Sequence, residues 1–345
     1  MFLHALSTAV PKNSYTQNEC WRIAEKSPHL AALSRRSRLT LNSILTRDRG
    51  IDKRHFAVPD VSRVFDLSPD ELSRAYRTAA PQLACDALGP AMEAAGIRAS
   101  EIDALLICTC TGYLCPGLTS YVAETLGLRN DVFLQDLVGL GCGAAIPTLR
   151  SASHVIAADR NATVACIAVE ICSAAFYLDD DPGVLISACL FGDGAAATIW
   201  RGRPGPGGLR CFGFQTLHMP ADRDKLRFET RQGKLRNLLD RTVPELAAGA
   251  AASLWRERGL RSVSRVVAHG GGPDVLAALA AGFPGYSLDA SARVMRSFGN
   301  MSSPSVLFAL QETLRDAAPG PEGDFWLISF GAGFSAHGCR LGCLD

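Results

Sequence analysis

The chain has almost no net charge: 35 basic residues stand against 34 acidic ones, for a formal +1 at pH 7. That balance gives no reason to expect nucleic acid or an anionic membrane as partner, because both call for a cationic footprint. It also lacks an apolar run long enough to cross a bilayer. Its first residues, Met1-Phe-Leu-His-Ala-Leu-Ser, show no basic stretch followed by a long apolar core, so no signal peptide is expected. Twelve cysteines are present, but none stands in C-x-x-C spacing. Neither Cys108-Thr-Cys110 nor Cys166 with Cys172 fits a zinc site, and no metal is expected. Free thiols without an export signal point to the cytoplasm. What remains is a chain of 345 residues, 48% hydrophobic, long enough to bury a large core and larger than one usual domain.

Short apolar runs alternate with helical stretches, the pattern of an α/β fold. Residues 104–108, 162–169 and 195–200 read as buried strands, and 263–268 and 325–330 read the same way in the second half. Gly202-Arg-Pro-Gly-Pro-Gly-Gly208 is the densest breaker cluster, which divides the chain into halves 1–205 and 206–345. The halves match in spacing. From Cys110 to Cys142 is 32 residues and from His269 to Asn300 is 31; from Cys142 to Cys172 is 30, as it is from Asn300 to Phe330. Two packed copies of one strand–helix–strand unit would bring Cys142, His269 and Asn300 to a common face.

Cys142 stands in Asp136-Leu-Val-Gly-Leu-Gly-Cys-Gly, between a strand-like stretch and a helix expected over about 143–158. Such a turn holds a sulfur at the mouth of a fold, where helix N–H groups favour the thiolate. A histidine beside it forms an ion pair that keeps the thiolate nucleophilic. An asparagine amide adds a donor that does not titrate, suited to an enolate or oxyanion. That inventory suits acyl transfer through a thioester, with carbanion chemistry next to a carbonyl. Each residue also has a plain structural reading: Cys142 as a packed apolar residue, His269 as a satisfied strand-end histidine, Asn300 as a helix N-cap.

Four motifs carry a family resemblance: Gly141-Cys142, Leu190-Phe191-Gly-Asp-Gly-Ala-Ala-Ala197, Ala268-His269-Gly-Gly-Gly-Pro273 and Gly299-Asn300-Met-Ser-Ser303. From Leu6 to the C-terminus the chain resembles the thiolase superfamily, and within it the chalcone-synthase-like type III polyketide synthases. The resemblance implies a thiolase fold, two pseudo-repeated βαβ-type halves packed as a five-layered αβαβα core. It implies a homodimer that takes acyl-CoA and malonyl-CoA as substrates and needs no further cofactor. Cys142 becomes the acyl-accepting nucleophile, and His269 and Asn300 promote malonyl-CoA decarboxylation and hold the thioester oxyanion. Phe191 resembles a gatekeeper between the CoA tunnel and the acyl cavity, and Ser302 belongs to that cavity. Cys110 and Cys172 stand where plant enzymes have threonines, and Ala175 at a third such site. Cys115 aligns with a residue that crosses the dimer interface to line the partner's cavity; ordinary loop packing is its other reading. A second gatekeeper belongs between Asp222 and Asp240, where Asn237 is the nearest candidate. Ser329-Phe-Gly-Ala-Gly-Phe334 departs from the plant Gly-Phe-Gly-Pro-Gly loop and leans toward the ketoacyl synthases.

Between Arg35 and Arg54 seven basic residues face two acids. In this family the region faces the CoA phosphates, and Arg47 and Arg49 are the expected contacts; the plain reading is a solvated helix face. The small, less polar cavity residues favour a fatty acyl starter, and hence an alkylpyrone or alkylresorcinol. A single-condensation ketoacyl-carrier-protein synthase III is the alternative. A papain-like hydrolase does not fit, since its cysteine lies near the mature N-terminus. A degradative thiolase would use a second cysteine, for which Cys339 is in the right area, but Asn300 stands where that mechanism has a histidine.

Overall fold

The computed structural model describes residues 1–257, 262–316 and 323–343. The chain opens with β1 (Phe2–Ala9), and β2 (Ser14–Thr16) leads into α1 (Gln17–Ala24), α2 (Pro28–Ala32) and α3 (Arg35–Thr46) before β3 (Lys53–His55) pairs back on β2. Helix α4 (Pro69–Ala95) starts on a reciprocal Ser68–Glu71 cap with Pro69 in its first turn and stops at Gly96, in the left-handed region at φ 62°. Then come β4 (Ala104–Thr109), α5 (Leu118–Leu126), β5 (Phe133–Val138), α6 (Ala145–Ala158), β6 (Val164–Glu170), α7 (Pro182–Leu190) and β7 (Gly194–Arg201). The second half runs through β8 (Leu209–His218), the hairpin β9 (Leu226–Arg231) and β10 (Lys234–Leu239), α8 (Val243–Arg256) and β11 (Val263–Ala268). It ends with α9 (Pro273–Gly282), α10 (Asp289–Phe298), α11 (Ser305–Asp316), β12 (Asp324–Gly331) and β13 (Ser335–Cys343).

Nine strands join in the order β11-β12-β13-β8-β1-β7-β6-β4-β5. A single residue pair, Phe2 with Arg210, links β1 to β8. Outward from that link the two sets repeat: β1-β7-β6-β4-β5 on one side and β8-β13-β12-β11 on the other. Strand senses match as well, with β4–β6 and β11–β12 parallel and β6–β7 and β12–β13 antiparallel. Among the described residues the second set has no counterpart of β5.

Both faces of each set are covered, so the strands read as nearly continuous apolar runs. In β4, Leu105 and Ile107 pack toward α4 and α5, while Ala104, Leu106 and Cys108 pack toward α6 and α11. In β12, Phe325 and Leu327 join that same middle layer, and Trp326 and Ile328 face α8 and α9. The result is five layers, αβαβα, with α6 and α11 buried at the centre. A cap built from α1, α3 and α7 closes one end, and Leu41, Leu45, Phe56 and Leu185 share a cluster there with Cys142 and Phe191.

The expected strands fall within two residues of β4, β6, β7, β11 and β12. The helix expected from about Gly143 begins instead at Ala145, because one 3-10 turn, Gly141–Gly143, comes first.

Candidate active site

The chain leaves β5 at Val138 and reverses through Gly139 (φ 83°) and Gly141 (φ 61°), which sets Cys142 in a tight turn directly ahead of α6. The glycines are also needed for room. A Cβ on Gly141 would lie 2.9 Å from the Ala332 nitrogen, and one on Gly143 would lie 2.9 Å from His337 Cδ2 and 3.0 Å from the Gly331 nitrogen. The turn is therefore pressed backbone to backbone against the loop after β12, and Ser329 Oγ donates to the Gly143 carbonyl at 3.1 Å.

His269 directly follows β11, its backbone N–H held by the Ile328 carbonyl at 2.8 Å. The ring is buried, and its Nδ1 has no hydrogen-bond partner among the described residues. Asn300 follows α10 through Gly299 (φ 69°). Its amide is fixed at both ends: Nδ2 donates to the Gly271 carbonyl and Oδ1 accepts from the Ser302 N–H, each at 2.7 Å. Because α11 starts only at Ser305, Asn300 is not that helix's N-cap, which corrects its plain structural reading. Nor is His269 a satisfied histidine.

Cys142, His269 and Asn300 line one cavity of about 390 Å³. Ser302 Oγ donates to Cys142 Sγ at 3.2 Å and lies 3.3 Å from Cys110 Sγ, and Ser302 itself holds φ 61°, unusual for a residue with a side chain. Burial pushes the Cys142 thiol up to about 12, more than the Ser302 bond offsets, and burial lowers His269 to about 4. Burial thus favours the neutral form of each group and works against the expected thiolate–imidazolium pair.

A family description, FAE1/type III polyketide synthase-like protein, matches residues 9–204. The chain is 30% identical to the 1,3,6,8-tetrahydroxynaphthalene synthase of Streptomyces peucetius subsp. caesius, over 96% of this chain and 90% of that protein. It belongs to the type III polyketide synthase family. It is similarly 29% identical to the 3,5-dihydroxyphenylacetyl-CoA synthase of Amycolatopsis balhimycina, over 94% of this chain and 87% of that one. The crystal structure of the Streptomyces coelicolor A3(2) tetrahydroxynaphthalene synthase overlays it with a TM-score of 0.87 at 24% identity, covering 100% of this chain and 99% of the other. The thiolase fold expected from the motifs is therefore the fold observed, and the protein is an acyltransferase by family.

In this polyketide synthase Phe191 is the wall between two cavities. It lines the one containing Cys142 and also a small one of about 20 Å³ shared by Cys172, Ala175, Ser302 and Asn237. Its backbone bridges Asn300, and its carbonyl accepts from Arg54 at 2.8 Å. Arg54 is buried and spends its guanidinium on Phe191, Ala188 and Gln17, so this member of the basic run is an anchor rather than a CoA contact. Asn237 does line the small cavity, but the aromatic of that segment is Phe228, directly opposite it in the β9–β10 hairpin. Phe228 also borders a third, open cavity of about 740 Å³ with Cys110 and Ala332. The missed signal was the two-residue turn Gln232-Gly233 (φ 52° and 75°), which sets the register that pairs the two residues.

Glu170 was also missed. It is fully buried at the end of β6 and accepts from the Cys110 and Thr111 N–H groups (2.9 and 3.1 Å), Thr111 Oγ1 (2.9 Å) and Ser303 Oγ (2.6 Å). Burial raises its pKa, and those donors work against the rise. It clamps the loop of Cys110 to the loop of Ser302. A lone acid ending an otherwise apolar strand was its sequence signature. Cys115 stands apart: it is exposed, precedes a cis Pro116, and lines none of these cavities. Arg49 lies at the mouth of the Cys142 cavity, whereas Arg47 lines neither that cavity nor the groove beside it.

Proposed function

We propose that the protein condenses an acyl-CoA starter with several malonyl-CoA units and closes the chain into a phenolic ring. The Cys142 sulfur attacks the starter thioester, its proton leaves with the CoA thiol, and the acyl group stays on the enzyme. His269 and Asn300 hydrogen-bond the malonyl thioester carbonyl. Loss of CO₂ then leaves an enolate between those two donors; its carbon attacks the Cys142 thioester, and the carbon–sulfur bond to Cys142 breaks. The lengthened chain remains as a CoA thioester, and the released thiolate takes up a proton before the chain is transferred back to Cys142 for the next round. The observation that carries this reading is the shared cavity, in which an unpartnered buried imidazole and a fixed amide accompany the thiol. A neutral His269 suits it, since an imidazole N–H donates without placing a full charge beside the thiol. The reaction uses CoA thioesters as substrates and, on this reading, no resident cofactor or metal.

For the starter, the space beyond Phe191 supports a short acyl group such as malonyl. It measures about 20 Å³ against about 390 Å³ for the cavity that contains Cys142. Relatives named for tetrahydroxynaphthalene, dihydroxyphenylacetyl-CoA and phloroglucinol accord with a compact, hydroxylated product. The fatty acyl starter and alkylpyrone or alkylresorcinol product form the second reading. It is supported by an apolar cavity of about 50 Å³ behind Phe176, lined by Leu30, Leu41, Leu45 and Phe56. Mass spectrometry of products from acetyl-, malonyl-, octanoyl-, palmitoyl- and coumaroyl-CoA with malonyl-CoA decides between them. Several condensations with ring closure support the polyketide assignment, and a single condensation product refutes it.

The homodimer belongs to the same proposal. Strand β5 is one of the two edges of the sheet and exposes Phe133, Leu134 and Val138, with Tyr113 exposed nearby in sequence to Cys115. Pairing of two such edges about a two-fold axis would cover them and present Cys115 to the partner. Val138→Lys should shift the protein to monomer in sedimentation; an unchanged dimer places the interface elsewhere. The division at residue 205 is supported by the single Phe2–Arg210 pair that joins the strand sets. No helix among the described residues is long and apolar enough to cross a membrane, and the cytoplasm remains the proposed location.

A further inference from the structure

Of the five large hydrophobic side chains exposed among the described residues, four lie on the β5 edge or the nearby Tyr113 loop. Leu39, 61% exposed, is the exception. It sits in a groove of about 660 Å³ on α3, lined by Arg35, Arg36, Thr40, Ser43, Ile44 and Arg49, without an acidic residue. The two acids of this segment do not neutralise it, since Asp48 and Asp52 both pair with Arg296 (3.5 and 2.8 Å). None of Arg35, Arg36, Arg38 and Arg49 forms an ion pair among the described residues. Ile44 and Arg49 also line the cavity containing Cys142, so the groove opens onto the entrance to the nucleophile.

We infer that this groove docks an acidic carrier protein, which delivers an acyl group on its phosphopantetheine arm to Cys142. The inference rests on Cys142 being the acyl acceptor. The arm is the one CoA carries, so the same cavity admits both donors, and they differ only in what stays outside. A nucleotide accounts for the Arg49 end. The other basic residues, Arg35, Arg36 and the exposed Arg38, lie at the far end of α3, whose twelve residues span about 17 Å, and a partner helix laid along α3 reaches from them past Leu39 to Arg49. An apolar side chain ringed by cations suits a helix that offers one apolar contact among carboxylates. In the transfer, Cys142 sulfur forms the new thioester, the carrier's thioester bond breaks, and the Cys142 proton leaves on the carrier thiol.

The test compares donors carrying the same acyl group. Purified enzyme is mixed with malonyl or octanoyl groups on CoA or on a bacterial holo-acyl-carrier protein, and acylated Cys142 is followed by intact-protein mass spectrometry. Wild-type enzyme should load from the carrier protein within tenfold of its kcat/KM for the CoA thioester. Leu39→Ser, which changes no charge, should lower the carrier value at least tenfold and the CoA value less than twofold. Arg35→Glu with Arg36→Glu should abolish carrier loading, and 0.5 M salt should mimic that loss in the wild type. Loading from CoA alone overturns the inference and leaves Cys142 as acceptor. Equal losses for both donors in Leu39→Ser, or no loss in either, assign the groove to the CoA nucleotide or to neither ligand and overturn it equally. No loading from any donor refutes the acceptor role itself.

Discussion

Burying His269 as a neutral ring has a cost that acid should reveal. Its pKa lies near 4 in the folded protein against 6.5 in the open chain. The unfolded state therefore takes up a proton first as the pH falls, and stability is lost from about 6.5 downward. From the two values, linkage predicts a loss of about 1 kcal/mol at pH 5.5 and about 3 kcal/mol at pH 4. His337, also buried and near 4, adds a second loss of the same sign. Asp193 works in the opposite direction: burial raises it to about 6, so it is least destabilising below its ordinary value of 3.8 and most costly above 6. Comparing wild type with His269→Gln cancels those two contributions. Urea unfolding at pH 7.0, 5.5 and 4.0 should show the variant losing less stability with acid, by about 1 and then about 3 kcal/mol. Parallel curves for the two proteins would mean that His269 is not held neutral by burial. Activity gives a second readout, since kcat/KM should show no inflection from this histidine near pH 6.5.

Cys142→Ala should abolish condensation while leaving the fold intact by circular dichroism, because it removes the chain carrier and little volume; any surviving extension rules out Cys142 as nucleophile. Asn300→Ala should slow malonyl-CoA decarboxylation by about a hundredfold or more while acyl loading of Cys142 persists in part. Carbon dioxide release at the wild-type rate would reduce Asn300 to a brace for the Ser302 N–H. Gly143→Ala should cost about 1–3 kcal/mol, because its Cβ meets His337 and the Gly331 backbone at 2.9–3.0 Å, and should lower kcat by displacing the adjacent sulfur. A variant with unchanged Tm and kcat would show that this contact relaxes freely.

Much of this was legible in the sequence because the buried strands advertise themselves. In β4, β6, β7, β11 and β12 both faces are covered, so apolar residues run on without a break, and His269 directly follows one of them. Strand β13 was not legible: Ser-Ala-His-Gly-Cys-Arg-Leu-Gly-Cys has little β-propensity and is held in place by neighbours on both sides. The protonation states were also out of reach. A sequence shows a cysteine and a histidine of matching position, but the burial that favours the neutral form of each is set by packing it does not reveal. Phe228 was hidden because its role depends on hairpin register, and Arg54 because its partners are backbone carbonyls far away in sequence.

The contact between the Gly141–Gly143 turn and the Gly331–Gly333 loop separates what can diversify from what cannot. At Gly141 and Gly143 the facing atoms include the main chain of Ala332 and Gly331, so a side chain added at either glycine must be met by moving main chain next to Cys142. The walls at Ala175, Phe176, Phe191 and Phe228 can exchange volume one substitution at a time without shifting that seam. Product range can thus drift across descendants of this chain while the distance from sulfur to carbanion is inherited unchanged.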